Sequence, residues 1–268
     1  LGCDRRFGFL MPFPAGILGG ANNQAIRATG GTTTNITGFK VHSFTTVGTT
    51  SFDIAKGIGT VNCLVIAGGA SGARYDTNGA GGGGAGGYLE GDKNLTVGSF
   101  TVTVGAGGAV RTGANQAGEN GGNSVFDNAT ALGGGGGGAS GVGLSGGSGG
   151  GGGNNSNGGA ATQGNSGGLT GYGGAGRNDN SGGGNAGAGG GASGNTPPLG
   201  PTSFGAAGRA SSITGTSVTY SRGGGVNYAY NISPGTSGAA NTGDGGMGMY
   251  QANSGAGGSG VVIVRYVL

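Results

Sequence analysis

The chain has 268 residues, 79 of them glycine, and a formal net charge of +3 on only 8% charged residues. So sparse a charge excludes a nucleic-acid footprint, which needs clustered Lys and Arg to neutralise phosphates. With 33% hydrophobic residues and no Trp, any apolar core is small for the length, and stability has to rest largely on backbone hydrogen bonds.

At the start, Arg5-Arg6 precedes the apolar run Phe7-Gly8-Phe9-Leu10-Met11, as in a targeting peptide, but Pro12 and Pro14 interrupt it. No stretch reaches the 18 or so apolar residues of a membrane span. Residues 1–27 read as an N-terminal segment that docks on a larger assembly; a targeting peptide or an expression remnant are the other readings. Residues 28–132 read as a β-strand framework. Positions 38–45 alternate, whereas 61–67 is a continuous apolar run, the pattern of a strand buried on both faces. Gly87-Tyr88-Leu89-Glu90 leads through the turn-like Gly91-Asp92-Lys93-Asn94, and in 99–104 Phe100, Val102 and Val104 share one face, as in a β-meander. Cys63 lies inside the apolar run and reads as a buried free thiol. Two cysteines are too few for a disulfide framework, which fits folding in the cytosol.

Residues 133–216 are dominated by glycine, with six in a row from Gly133 to Gly138, and 217–268 continue in the same style around two conventional strands. The last of these, 260–268, is the most hydrophobic segment in the chain and is expected to return and pair beside 61–67. Irregular glycine spacing and only six Pro exclude collagen. A flexible linker would not end on a core strand. The remaining solution is a stack of polyproline II-type glycine helices. These have three residues per turn and no internal hydrogen bonds, so their N–H and C=O groups point sideways and can bond to neighbouring helices. The expected fold is therefore an all-β framework holding a polyglycine II sandwich, with little or no α-helix and 28–268 as one folded unit.

Several segments carry a resemblance: Ala28-Thr29-Gly30-Gly31, Phe44-Thr45-Thr46-Val47-Gly48, 61–69, Gly86-Gly87-Tyr88, 101–108, Gly122-Asn123-Ser124-Val125-Phe126 and 258–266. In this order they resemble the glycine-rich domains of tailed-phage fibre and virion proteins, from Ala28 to the C-terminus. The resemblance implies a polyglycine II sandwich like that of tail-fibre adhesins, in which turns between glycine helices contact the host surface. It further implies location in the virion and assembly in the host cytoplasm, so that the docking segment 1–27 would bind other tail or capsid proteins. Strand edges in the framework point to homo-oligomers, and trimers are what the fibre resemblance implies. The chain departs from the pattern before Ala28 and in several glycine-poor inserts.

Five inserts interrupt the glycine with aromatic, Arg or Pro residues: Arg74-Tyr75-Asp76, Tyr172 with Arg177-Asn178-Asp179, 197–204, 227–231 and 247–251. Tyrosine offers contact area and a hydrogen-bonding tip at small entropic cost, which suits a glycan or an outer-membrane protein. Candidate receptor contacts are Tyr75, Tyr172, Arg177, Phe204, Tyr228, Tyr230, Met249 and Tyr250; the alternative role is to lid the ends of the stack. A decoration protein that binds the particle without touching a receptor is the second reading of the whole chain. No catalytic, metal or cofactor site is expected. G-x-G-x-x-G is nearly guaranteed at this glycine content, no Lys follows a glycine, and the single His42 sits in a strand.

Overall fold

The computed structural model describes residues 25–179, 186–194, 202–203, 205–228 and 233–268, and these contain no helix. The N-terminal segment up to residue 24 lies outside them. In chain order the strands are β1 (Arg27–Thr29), β2 (Thr32–Ile36), β3 (Phe39–Phe44), β4 (Gly48–Lys56), β5 (Gly59–Ile66), β6 (Arg74–Tyr75), β7 (Tyr88–Leu95), β8 (Gly98–Val104) and β9 (Ser124–Phe126). There follow β10 (Ala129–Ala131), β11 (Thr170–Tyr172), β12 (Thr202–Ser203), β13 (Arg209–Ser211), β14 (Val218–Tyr220), β15 (Val226–Asn227), β16 (Gly248–Tyr250) and β17 (Val261–Val267).

Two sheets form a sandwich. One has the order β1-β4-β8-β9-β10, the other β11-β7-β5-β17-β3-β2. The closing strand does return beside the first apolar run, with Val261 opposite Ile66 and Arg265 opposite Asn62. Both strands are buried on two faces. Val61, Cys63, Val65, Val262, Val264 and Tyr266 enter the core between the sheets. Leu64, Ile66, Val261 and Ile263 enter a second core, capped by Ile213, Tyr220 and Val218 of the β13–β14 hairpin. Burial pushes the Cys63 thiol up to about 12, so it stays protonated and inert.

Two local expectations fail. Positions 91–94 are not a turn: β7 runs unbroken because β5 opposes it from Gly59–Leu95 to Ile66–Tyr88, and long-range pairing overrides the local Gly-Asp-Lys-Asn signal. Nor do β7 and β8 form a meander, since they belong to different sheets and the chain crosses the sandwich at Thr96-Val97.

His42, in β3, is fully buried. Its Nδ1 donates to the Gly30 carbonyl at 2.7 Å, and its Nε2 accepts from the Tyr266 hydroxyl at 3.1 Å. Burial lowers its pKa below the ordinary 6.5. The unfolded chain therefore takes up a proton that the native state refuses, and stability is lost as pH falls below about 6.5, by at most about 1.4 kcal/mol per pH unit. Because it is the only histidine, denaturant midpoints measured from pH 7.5 to pH 5 test this directly. The slope is expected to vanish in His42→Phe.

The strands run directly into extended glycine passes, and the array begins at Ala67 rather than at Gly133. The pass at 81–87 lies at its centre. All seven of its amides donate, at 2.8–3.0 Å, and the partner changes with a period of three. Gly81, Gly84 and Gly87 donate to pass 132–138, Gly82 and Ala85 to pass 187–190, and Gly83 and Gly86 to pass 243–246. Its carbonyls accept from 67–73, from 148–151 and from Gly224. Those six neighbours also bond to one another in turn, for example Gly134 to Gly68, Gly135 to Ser148, Gly190 to Gly149, Gly189 to Gly224, Gly245 to Arg222 and Gly246 to Ala70, which closes a ring. This is the hexagonal packing that three residues per turn and sideways-pointing amides dictate. At the rim, side chains replace missing neighbours: Asn120 and Asn123, three residues apart, accept from the amides of Gly136 and Gly133.

Candidate functional site

Each pass spans the array once, at about 3.1 Å per residue, so its far end lies opposite the sandwich. Pass 67–73 leaves β5 and ends in β6; pass 243–247 ends in β16; pass 221–225 leaves β14 and ends in β15. These three ends run in the same direction. They therefore pair in parallel, with Met249 beside Arg74, Tyr250 beside Tyr75, and Val226 beside Gly248. β12 adds the antiparallel fourth strand. Four of the five inserts, far apart in sequence, thus meet in one small sheet at the tip.

Tyr75, Tyr228 and Tyr250 are half-buried there, and the rings of Tyr228 and Tyr250 lie 5.4 Å apart. The exposed Gln251 donates to the Tyr250 hydroxyl and to the Asp76 carbonyl, both at 3.0 Å. Arg74 braces the tip from within. Its Nε and Nη2 reach the Asp76 carboxylate at 3.0 and 3.3 Å, and its Nη1 reaches the Thr112 carbonyl and Asn253 Oδ1. Asn115 Oδ1 accepts from the Asp76 amide. The 111–116 turn lies outside the five inserts; Asn115-Gln116, between Gly113 and Gly118, is its only signal in the sequence. Chemically the tip offers half-buried aromatic faces rimmed by amides.

The remaining candidates lie elsewhere. Met249 is 1% exposed, so it cannot meet a ligand without opening the sheet; as the central residue of β16 it packs inward. Tyr172 is not at the tip either. It pairs with β7 next to the sandwich, its ring 5.8 Å from Tyr88 and covered by the Arg209 guanidinium at 3.8 Å, and its role there is packing. Arg177 sits at the other end of the same pass, with Asn178 and Asp179 accepting from the amides of Gly158 and Asn155 in place of a missing neighbour. That insert is thus split along the array. Phe204 and Tyr230 lie outside the described residues. Among those described, no three His, Cys, Asp or Glu side chains converge as a metal site would require.

The fold defines a class: an all-β protein in which a sandwich feeds a stack of glycine passes and displays the turns between them. Within that class the chain belongs to the glycine-rich domain family, whose profile matches residues 45–267. No curated protein matches the chain.

Proposed function

We propose that this protein is a structural component of a tailed-phage virion, a tail fibre or adhesin, that attaches the particle to the host surface through its tip. The convergence of four separate inserts on one edge of a rigid stack carries this reading. A lid alone would not need three tyrosines at one place, whereas recognition uses half-buried aromatics with adaptable amides beside them. The resemblance to phage glycine-rich domains supports the viral setting. A glycan or an outer-membrane protein is the ligand class that suits such a surface. A non-catalytic role fits the burial of the one histidine and the pairing of Asp76 with Arg74 at the tip.

The opposite end favours attachment. Ile58, Val97, Val267 and Leu268 are 45–64% exposed where the strands of the sandwich end, and Ala25 lines a pocket together with Leu268 there. This end and residues 1–27 would bind other virion proteins. A decoration protein without a receptor would need this end alone.

The test is adsorption to host cells by the purified protein carrying Tyr228→Ala and Tyr250→Ala. A tyrosine at the centre of an interface is worth about 2 kcal/mol, so each change is expected to weaken adsorption by roughly thirtyfold with the unfolding midpoint little altered. Adsorption equal to that of the parent would refute the adhesin reading and leave the decoration role.

A further inference from the structure

Among the described residues, one flank of the glycine array is unfinished. Pass 221–225 bonds to Ala206, Gly83, Gly189 and Gly245, yet among the described residues no hydrogen bond reaches the Gly223 carbonyl. The Gly245 carbonyl beside it also accepts nothing, and the amides of Ser237 and Ala239 across the gap donate to nothing, among the described residues. A groove of about 380 Å³ runs between these passes. It has the form of a vacant position in the hexagonal packing, lined by residues 205–207, 222–225 and 236–239 and by Asp244, Gly245 and Met247. Paired edges elsewhere in the array show how close an occupant must come. A Cβ added at Gly223, Gly224 or Gly245 would lie 2.0–2.1 Å from a carbonyl of the neighbouring pass, so passes pack backbone to backbone. Only an extended chain of glycine and other small residues can approach that far.

We infer that this flank is a docking surface for a second copy of the chain. The same flank carries both halves of the contact. A two-fold pairing sets the small residues 236–239 of each copy against the other's groove, unpaired amides facing unpaired carbonyls, in an isologous interface. The logic is that of an exposed β-edge, which recruits another strand through its free N–H and C=O groups, transferred to a glycine helix. An apolar helix or an aromatic ligand would leave those polar groups unpaired, at a cost. The contact lies along the side of the stack, so it is independent of what the tip binds.

Sedimentation velocity of the full chain over a concentration series tests the proposal, with amide exchange read at Ser237 and Ala239. The parent is expected to form dimers and to slow exchange at these two amides as it assembles. Ala239→Arg, an exposed position on the groove wall, is expected to weaken assembly by about tenfold or more without moving the unfolding midpoint. Ala207→Arg, exposed on the opposite wall, gives the same readout should the first variant disturb the fold. A parent that stays monomeric at its highest soluble concentration overturns the inference, and so does an arginine variant that assembles as well as the parent.

Discussion

Gly83→Ala is expected to destabilise the protein by about 3 kcal/mol or more, at the upper end of the cost of overpacking. An added Cβ would sit 2.3 Å from the Ala70 carbonyl and 2.7 Å from that of Ser71. Ordinary cores relieve such a clash by turning a side chain. Here the obstacle is backbone, and that backbone is held by its own hydrogen bonds in a ring of six passes. Moving pass 67–73 outward would lengthen its bonds to passes 81–87, 132–138 and 243–246 and press it into passes 105–108, 118–122 and 255–258. Gly164→Ala is the matched control, because nothing lies within 4 Å of its added Cβ. It is expected to be neutral or to stabilise by about 0.4–1 kcal/mol, by restricting the unfolded chain. Urea unfolding of the two variants makes the comparison; equal losses would mean that the array is not close-packed.

The second large effect is expected at Phe52, which is fully buried between the two sheets. Its ring meets Phe126 of its own sheet at 6.1 Å, and His42, Phe44 and Tyr266 of the facing sheet at 5.1, 6.5 and 6.4 Å. Phe52→Ala opens a cavity at the centre of the larger core and is expected to cost about 3–5 kcal/mol. The damage should not stay in the sandwich. Passes 67–73 and 80–87 are continuous with β5 and β7, so loss of the sheets frees the ends that keep the passes in register. Amide exchange at residues 81–87 is therefore expected to accelerate in step with the lost stability. Unchanged exchange there would mean that the array holds itself together without the sandwich.

Strands with a clear apolar pattern were legible in the sequence. The two-sided burial of 61–67 and 260–268 follows from unbroken apolar runs, and their pairing from the need to bury both. β1 and β2 carry no such pattern because they are edge strands with mostly exposed residues, Thr32, Thr33 and Thr34 among them. Their place is set by pairing with β4 and β3 rather than by any alternation of their own. The inserts could be picked out by composition, and their tyrosines suggested recognition. Composition did not say that Met249 turns inward or that Tyr172 is packed under Arg209, since either side chain could face either way in a glycine setting.

By itself, then, the sequence determined the all-β class and the extended, side-chain-free conformation of the glycine segments. Those properties follow from residue type and local geometry, which need no knowledge of neighbours. Only the tertiary structure decided which pass bonds to which and which inserts meet at the tip. A glycine pass carries no side chain to specify a partner, and every amide can serve any carbonyl. The neighbours are chosen by where the flanking strands enter the array and by the direction in which each pass runs.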